Sequence, residues 1–317
     1  MKKKGNRSKK HHYLPIHYQK GFQNDFGKIF VYDKNAERII RNVNPRTFFA
    51  ENELNTIDFG GKKHDFIEEK IYNFIDNHSA EQFQKIRASN WAQEDSISAF
   101  DRIGFGWTLC NLFWRIPSSE ANLLRLRNQE SFDNIETESF SFQNNFHSGL
   151  EEDFSKYLRS KDDLRPISKL IYALHSFNNG EVKNIASRWN IFHLLENDRL
   201  VTGDNPFARK RENLVYGDLL GEFIFPISGN KLIVITNEPP SFIDEVLLLY
   251  INLMILHQSE RFICMADAEN LKKVVGIYND FRKEGIHHNI RNFLFEHLAE
   301  ISKFNSIEEY SRNRNGI

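Results

Sequence analysis

"FIFPISGNKLIVIT", residues 223–236, reads as two strands meeting at Gly229-Asn230. Apolar and β-branched residues flank a pair that tolerates positive φ, so the stretch predicts an antiparallel hairpin. Pro226 cannot donate to a ladder, which places the first strand at an edge or a bulge. Upstream, "RLVTGDNPF" (199–207) predicts a strand running into an Asp-Asn-Pro turn. Downstream come a helix at 241–258, a strand in "RFICMA" (261–266), and helices at 267–283 and 286–304.

A second hairpin is expected near the N-terminus, where "KIFVYDK" and "RIIRNV" flank Asn35 and Ala36. Residues 45–62 carry Pro45, Asn52, Asn55, Gly60 and Gly61, and read as a loop. The character then turns helical. In "DFIEEKIYNFIDNHSAEQFQKI" (65–86) apolar residues recur at steps of three and four, with Asp65 as the N-cap. A helix from about 96 to 115 ends before Pro117. Residues 128–148 form a polar, acidic loop, and helices resume at 149–160, 165–177 and 181–196. The fold class is α+β, mostly helical, with small antiparallel β elements near the N-terminus and in the C-terminal half. The segments are a basic leader (1–8, disordered), an extended region (9–62), a helical region (63–196) and an α+β region (197–317), in one compact domain.

The composition fits a globular chain of 317 residues, and 28 phenylalanines predict an aromatic core. Cys110 and Cys264, far apart in apolar runs, read as buried thiols in a reducing compartment. No apolar run reaches the roughly 18 residues of a membrane span, and the N-terminus lacks the apolar segment of a secretory signal, so a cytoplasmic protein with no membrane partner is expected. The first ten residues hold six basic side chains, and the remainder is net −7. A basic arm on an acidic body suits nucleic-acid contact, with Lys9 and Lys10 as substrate-binding candidates, or it is a solvated leader.

The densest chemistry lies in "KKHHYLPIHYQKGF" (9–22). Strand geometry would put His11, Tyr13, Pro15 and His17 on one face and His12 on the other. The pair then either caps backbone groups or divides two roles, one imidazole holding a metal and one acting as a base. Arg115 ends an apolar helix, either as an ion-pair or dipole partner or as a guanidinium clamp on phosphate. Asp204 and Asn205 form a turn before Pro206, with Asp204 as a further catalytic or metal-holding candidate. Glu68 and Glu69 read as acids opening a helix. No nucleotide-cofactor motif, nucleophile elbow or paired-cysteine zinc spacing is present.

These pieces together resemble a bacterial family, domain of unknown function 4238 (DUF4238). The resemblance rests on "HHYLPIHYQKGF", "FWRIPSSEA", "LVTGDNPF", "FPIS" and "INLMILHQSERFICMAD", in that order across residues 10–267. It implies the fold and the choice of residues rather than a reaction. The mobile-element and phage-defence neighbourhoods of some relatives imply a toxic or nuclease-like effector with a protein partner from the same operon. A looser resemblance to His-Asn-His nucleases rests on the His pair and on Asn55 standing nine residues before His64. It implies metal-dependent phosphodiester cleavage, with His11, Asp204 and His64 as ligands of Mg or Mn, less readily Zn, and His12, His11, Tyr13, Arg115 and Asp204 catalytic. The other class of function is a non-catalytic sensor that binds an anion or a partner with the same polar groups.

Overall fold

The structure, a computed structural model, describes residues 10–59, 61–89, 97–127, 164–178, 180–196, 199–212 and 220–315. The leader at 1–8, Lys9, the polar loop at 128–148 and the helix expected at 149–160 lie outside these residues.

The hairpin 223–236 forms the centre of a four-stranded antiparallel sheet. Strands β10 (Phe223–Ser228) and β11 (Lys231–Ile235) pair around Gly229-Asn230, with β7 (Trp189–His193) and β9 (Ala208–Arg209) outside them. The ladder slips between Pro226 and Ser228, and β9 reaches only Phe223 and Ile224. Pro226 therefore sits at a bulge, where its missing N–H costs no ladder bond.

The N-terminal hairpin, β2 (Ile29–Asp33) and β3 (Arg38–Val43), joins β12 (Phe262–Met265) and β8 (Thr202–Gly203) in a second antiparallel sheet of order β3-β2-β12-β8. Two smaller ladders correct the expected loop at 45–62. Strand β1 (Lys10–His12) pairs with β4 (Ala50–Asn52), setting His11 opposite Glu51, and β5 (Ile57–Phe59) pairs with β6 (Lys62–His64). Each is three residues long, too short for a period-2 signal.

The helices begin where short polar side chains take up their orphan N–H groups. Ser98 Oγ accepts from the Asp101 N–H and donates to the Asp101 carboxylate, starting α3 (Ala99–Arg115). Asp244 caps α7 (Glu245–Gln258), and Asp267 caps α8 (Ala268–Lys283). Between α3 and α7 lie α4 (Ser119–Arg127), α5 (Arg165–Asn178) and α6 (Glu181–Arg188); α9 (Ile290–Ile301) and α10 (Ile307–Asn315) close the chain. The expected helix 181–196 stops at Arg188, because Trp189–His193 pairs in full with β11 and becomes β7. The helix at 65–88 opens as a π-helical stretch, Ile67–Tyr72, before α2 (Asn73–Ala88). The N-cap position is Phe66, one residue on from the Asp65 expected there, and the Asp65 carboxylate accepts from the Thr56 hydroxyl at 2.6 Å.

One continuous apolar cluster runs from Tyr13 to Tyr310 and is rich in rings. Phe83, Phe105, Phe207 and Phe225 lie at centroid distances of 4.8–6.4 Å from ring neighbours that include Tyr18, Trp189 and Phe223. Trp114 stacks on Tyr172 at 5.0 Å. Each such ring contributes roughly 2–3 kcal/mol of transfer free energy. Cys110 and Cys264 are buried and joined in no disulfide among the described residues, and no helix among those residues is long and apolar enough to cross a membrane.

Candidate functional site

The His pair enters through β1, and the sheet alternation separates its members. His11 is fully buried, and its Nδ1 accepts from the Asn55 N–H at 3.0 Å. Asn55 is buried too and donates from Nδ2 to Glu68 Oε2 at 2.7 Å. His12 faces the other way. Its Nε2 lies 3.1 Å from the Arg46 carbonyl. A carbonyl only accepts, so Nε2 carries the proton and Nδ1 holds the lone pair. Burial lowers the His12 pKa; the Arg46 bond opposes this and the Arg115 charge adds to it. His12 is thus a neutral imidazole with a fixed tautomer.

Pro15 ends the extended run. Residues Ile16–Gln19 make one helical turn, α1, so His17 is not on the strand face with His11 and Tyr13. The turn is clipped from behind. Arg87 donates to the carbonyls of His17, Tyr18 and Ile227, and the Tyr18 hydroxyl donates to the Pro226 carbonyl at 3.0 Å while meeting Thr202 Oγ1 at 2.7 Å. His17 then lines a small chamber with Asp76, Asn111 and Arg115. Burial holds its pKa at about 4.

Arg115 is the centre of the cluster. Its side chain is only 3% exposed. Nη1 donates to Asp76 Oδ1 at 2.6 Å, Nη2 approaches Glu68 Oε2 at 3.9 Å, and the guanidinium lies 4.3 Å from the centre of the Tyr72 ring. Burial opposes its charge, yet Asp76 and Glu68 hold its pKa above the ordinary value. Burial pushes Tyr72 up to about 12. Glu68, Tyr72 and Asp76 stand four residues apart, so they form one stripe of the 67–88 helix turned toward Arg115 on α3. That spacing is legible in the sequence, but acids near a helix start have a structural explanation that hides its meaning.

The other candidate residues lie elsewhere. Asp204 is buried with both oxygens engaged, accepting from the N–H groups of Glu260, Arg261 and Phe262 at 2.7–2.9 Å. Burial raises its pKa against those three bonds. Asn205 accepts through its carbonyl from Gln258 Nε2. Tyr13 is buried on the Asp204 side, its ring edge against Phe49, and burial followed by the Asp204 charge raises its pKa. Lys10 donates to the Thr47 carbonyl at 2.6 Å. His64 is exposed on β6 opposite Ile57. Among the described residues no group of three or more His, Cys, Asp or Glu is placed to hold a metal ion, so His11, Asp204 and His64 do not form one.

A cleft of about 680 Å³ adjoins the cluster, a size that suits a small ligand. Glu51, across the ladder from His11, lies on one wall, and Pro117, two residues past Arg115, on another. Within it Glu120 is held by Arg165 at 2.8 Å and by the buried Lys169 at 2.9 Å. The His pair and Arg115 lie in segments that carry the family resemblance, as do Pro117, Glu120 and Glu260 of the cleft, whereas Glu68, Tyr72, Asp76 and Lys169 lie outside those segments. The family model "Protein of unknown function (DUF4238)" matches residues 10–269. The chain belongs to the DUF4238 family. In this DUF4238 member the matched span holds the His pair, the Arg115 cluster, the Asp204 turn and both four-stranded sheets. No curated protein and no solved structure matches the chain.

Proposed function

We propose that this DUF4238 protein is a hydrolase whose general base is His12, with a nuclease-like reaction on nucleic acid as its specific form and a phage-defence or toxin setting as its context. The observation that carries the reading is the His12 tautomer. An imidazole anchored through Nε2–H to a carbonyl, held neutral, with no partner on Nδ1 among the described residues, is prepared to take a proton. In the proposed step a water oxygen attacks phosphorus and its proton passes to His12 Nδ1. The phosphorus–oxygen bond to the leaving group breaks, and the leaving oxygen takes a proton from solvent.

Arg115 has a different part from the clamp considered at first. Its Nη1 bonds Asp76, its Nη2 faces Glu68 at 3.9 Å and its plane lies on Tyr72, so in this reading it orients two carboxylates rather than a phosphate. Glu68 Oε1 and Asp76 Oδ2 keep free lone pairs and are the donors that would hold a divalent ion arriving with substrate phosphate. Such an ion would polarise the scissile group. The basic residues ahead of His11 support nucleic acid as the substrate. The sensor reading is favoured by one observation: Asp204 has both carboxylate oxygens engaged by backbone N–H groups, which leaves no free carboxylate there for chemistry.

The test is cleavage of labelled RNA and DNA by the full chain, with and without Mg²⁺ or Mn²⁺, beside His12→Ala. The expected result is cleavage reduced about 10²–10⁴-fold in the variant, with an unchanged melting curve. Intact substrates under all conditions, or equal cleavage by the variant, would overturn it.

A further inference from the structure

Three histidines gather at a corner away from this site. His257 ends α7, and His287 and His288 lie in the turn that leads into α9. The rings of His287 and His288 are 3.8 Å apart, and His257 lies 5.8 and 6.3 Å from them. The Tyr278 hydroxyl closes one side, 3.2 Å from His257 Nδ1.

The charged groups that act on His257 and His287 share one sign. Burial, then Lys34, His287, His288 and Arg291, lower the His257 pKa to about 4. Burial, then His288 and Arg282, lower His287. Lys34 is spent on the carbonyls that end α7, of Leu256 and His257. Arg291 reaches the exposed Glu212 at 3.4 Å through Nη1, and its buried Nε has no partner. Arg282 is exposed on α8, and its side chain makes no hydrogen bond or ion pair among the described residues. Helix α9 starts here with no acid in its first turn and no side-chain cap, which leaves the positive end of its dipole uncompensated.

Imidazole N–H and guanidinium groups are donors, and beside the positive end of the helix dipole they match an oxyanion with several acceptors. A metal ion fits less well, because the three rings do not form a ligand group. We propose that His287, His288, Arg282 and Arg291, at the start of α9, bind a phosphate-type oxyanion. All four lie beyond residue 269, where the family match ends, so the site is an addition to the family core and independent of His12.

Inorganic phosphate is the probe. The full chain is titrated at constant ionic strength, following melting temperature and the histidine ring protons by NMR. Phosphate should raise the melting temperature and move the His287 and His288 signals. Arg282→Glu, and separately His287→Asn with His288→Asn, should each weaken it by about fivefold or more, while His12→Ala leaves it unchanged. Variants that respond as the parent does, or chloride that reproduces the effect, would overturn the proposal. A single-stranded oligonucleotide displaced by phosphate assigns the site to a nucleic-acid backbone; one that is not displaced assigns it to a free oxyanion.

Discussion

Arg115 and Asp76 stand 39 residues apart in the chain and 2.6 Å apart in space. The contact welds α2 to α3 and holds a guanidinium in the interior only because two carboxylates and an aromatic face surround it. Arg115→Met would leave Glu68 and Asp76 without their countercharge. It should lower stability by about 3–5 kcal/mol in urea unfolding. Arg115→Lys keeps the charge and loses the fork and the flat stacking on Tyr72, and should still cost about 1 kcal/mol or more.

Asp204 secures a different joint. Its carboxylate gathers three N–H groups from the turn that opens β12, beside the short strand β8. Asp204→Ala would orphan these donors and should cost about 3 kcal/mol or more. Asp204→Asn keeps one acceptor and should cost less. The order of the two unfolding midpoints checks this; equal midpoints would show that the turn stands without its carboxylate.

Tyr18→Phe removes a single hydroxyl that serves Thr202 and Pro226 at once. The ring contacts to Phe22, Phe83 and Phe225 are kept. A loss of about 1–3 kcal/mol is expected, with unchanged near-ultraviolet circular dichroism.

His17 supplies a pH dependence. Its folded pKa is about 4, against 6.5 for the free side chain, because burial disfavours the cation. Below the unfolded value the unfolded chain binds a proton that the folded chain refuses. Stability should therefore be full above about pH 6.5 and fall as pH drops toward 4, by an amount on the order of 3 kcal/mol from this group. His17→Leu should flatten that part of the curve. A slope identical to the parent's would place the titration elsewhere.

Sequence patterns made the long elements legible. The Gly229-Asn230 and Asn35-Ala36 hairpins, α3 and α7 each carry their signal locally, in turn residues, caps and period. The three-residue strands β1, β4, β5 and β6 do not, because only a partner tens of residues away makes them strands. Trp189–His193 likewise follows a helical run and becomes β7 through β11. Arg115 was visible as a cation ending an apolar helix, but its partners were not, since a polar stripe at 68, 72 and 76 means little until α3 lies against it. The three histidines at 257, 287 and 288 carried no motif and meet only through the packing of α7, α8 and α9.

The clips behind α1 also govern when the molecule becomes whole. Tyr18 and Arg87 hold the His-bearing segment to carbonyls of Pro226 and Ile227, separated from them by 208 and 140 residues. A nascent chain leaving the ribosome cannot make these bonds until Pro226 and Ile227 have been translated. Products terminated before that stretch would carry the motif as unfixed peptide, and any activity it supports would wait for the hairpin that holds it.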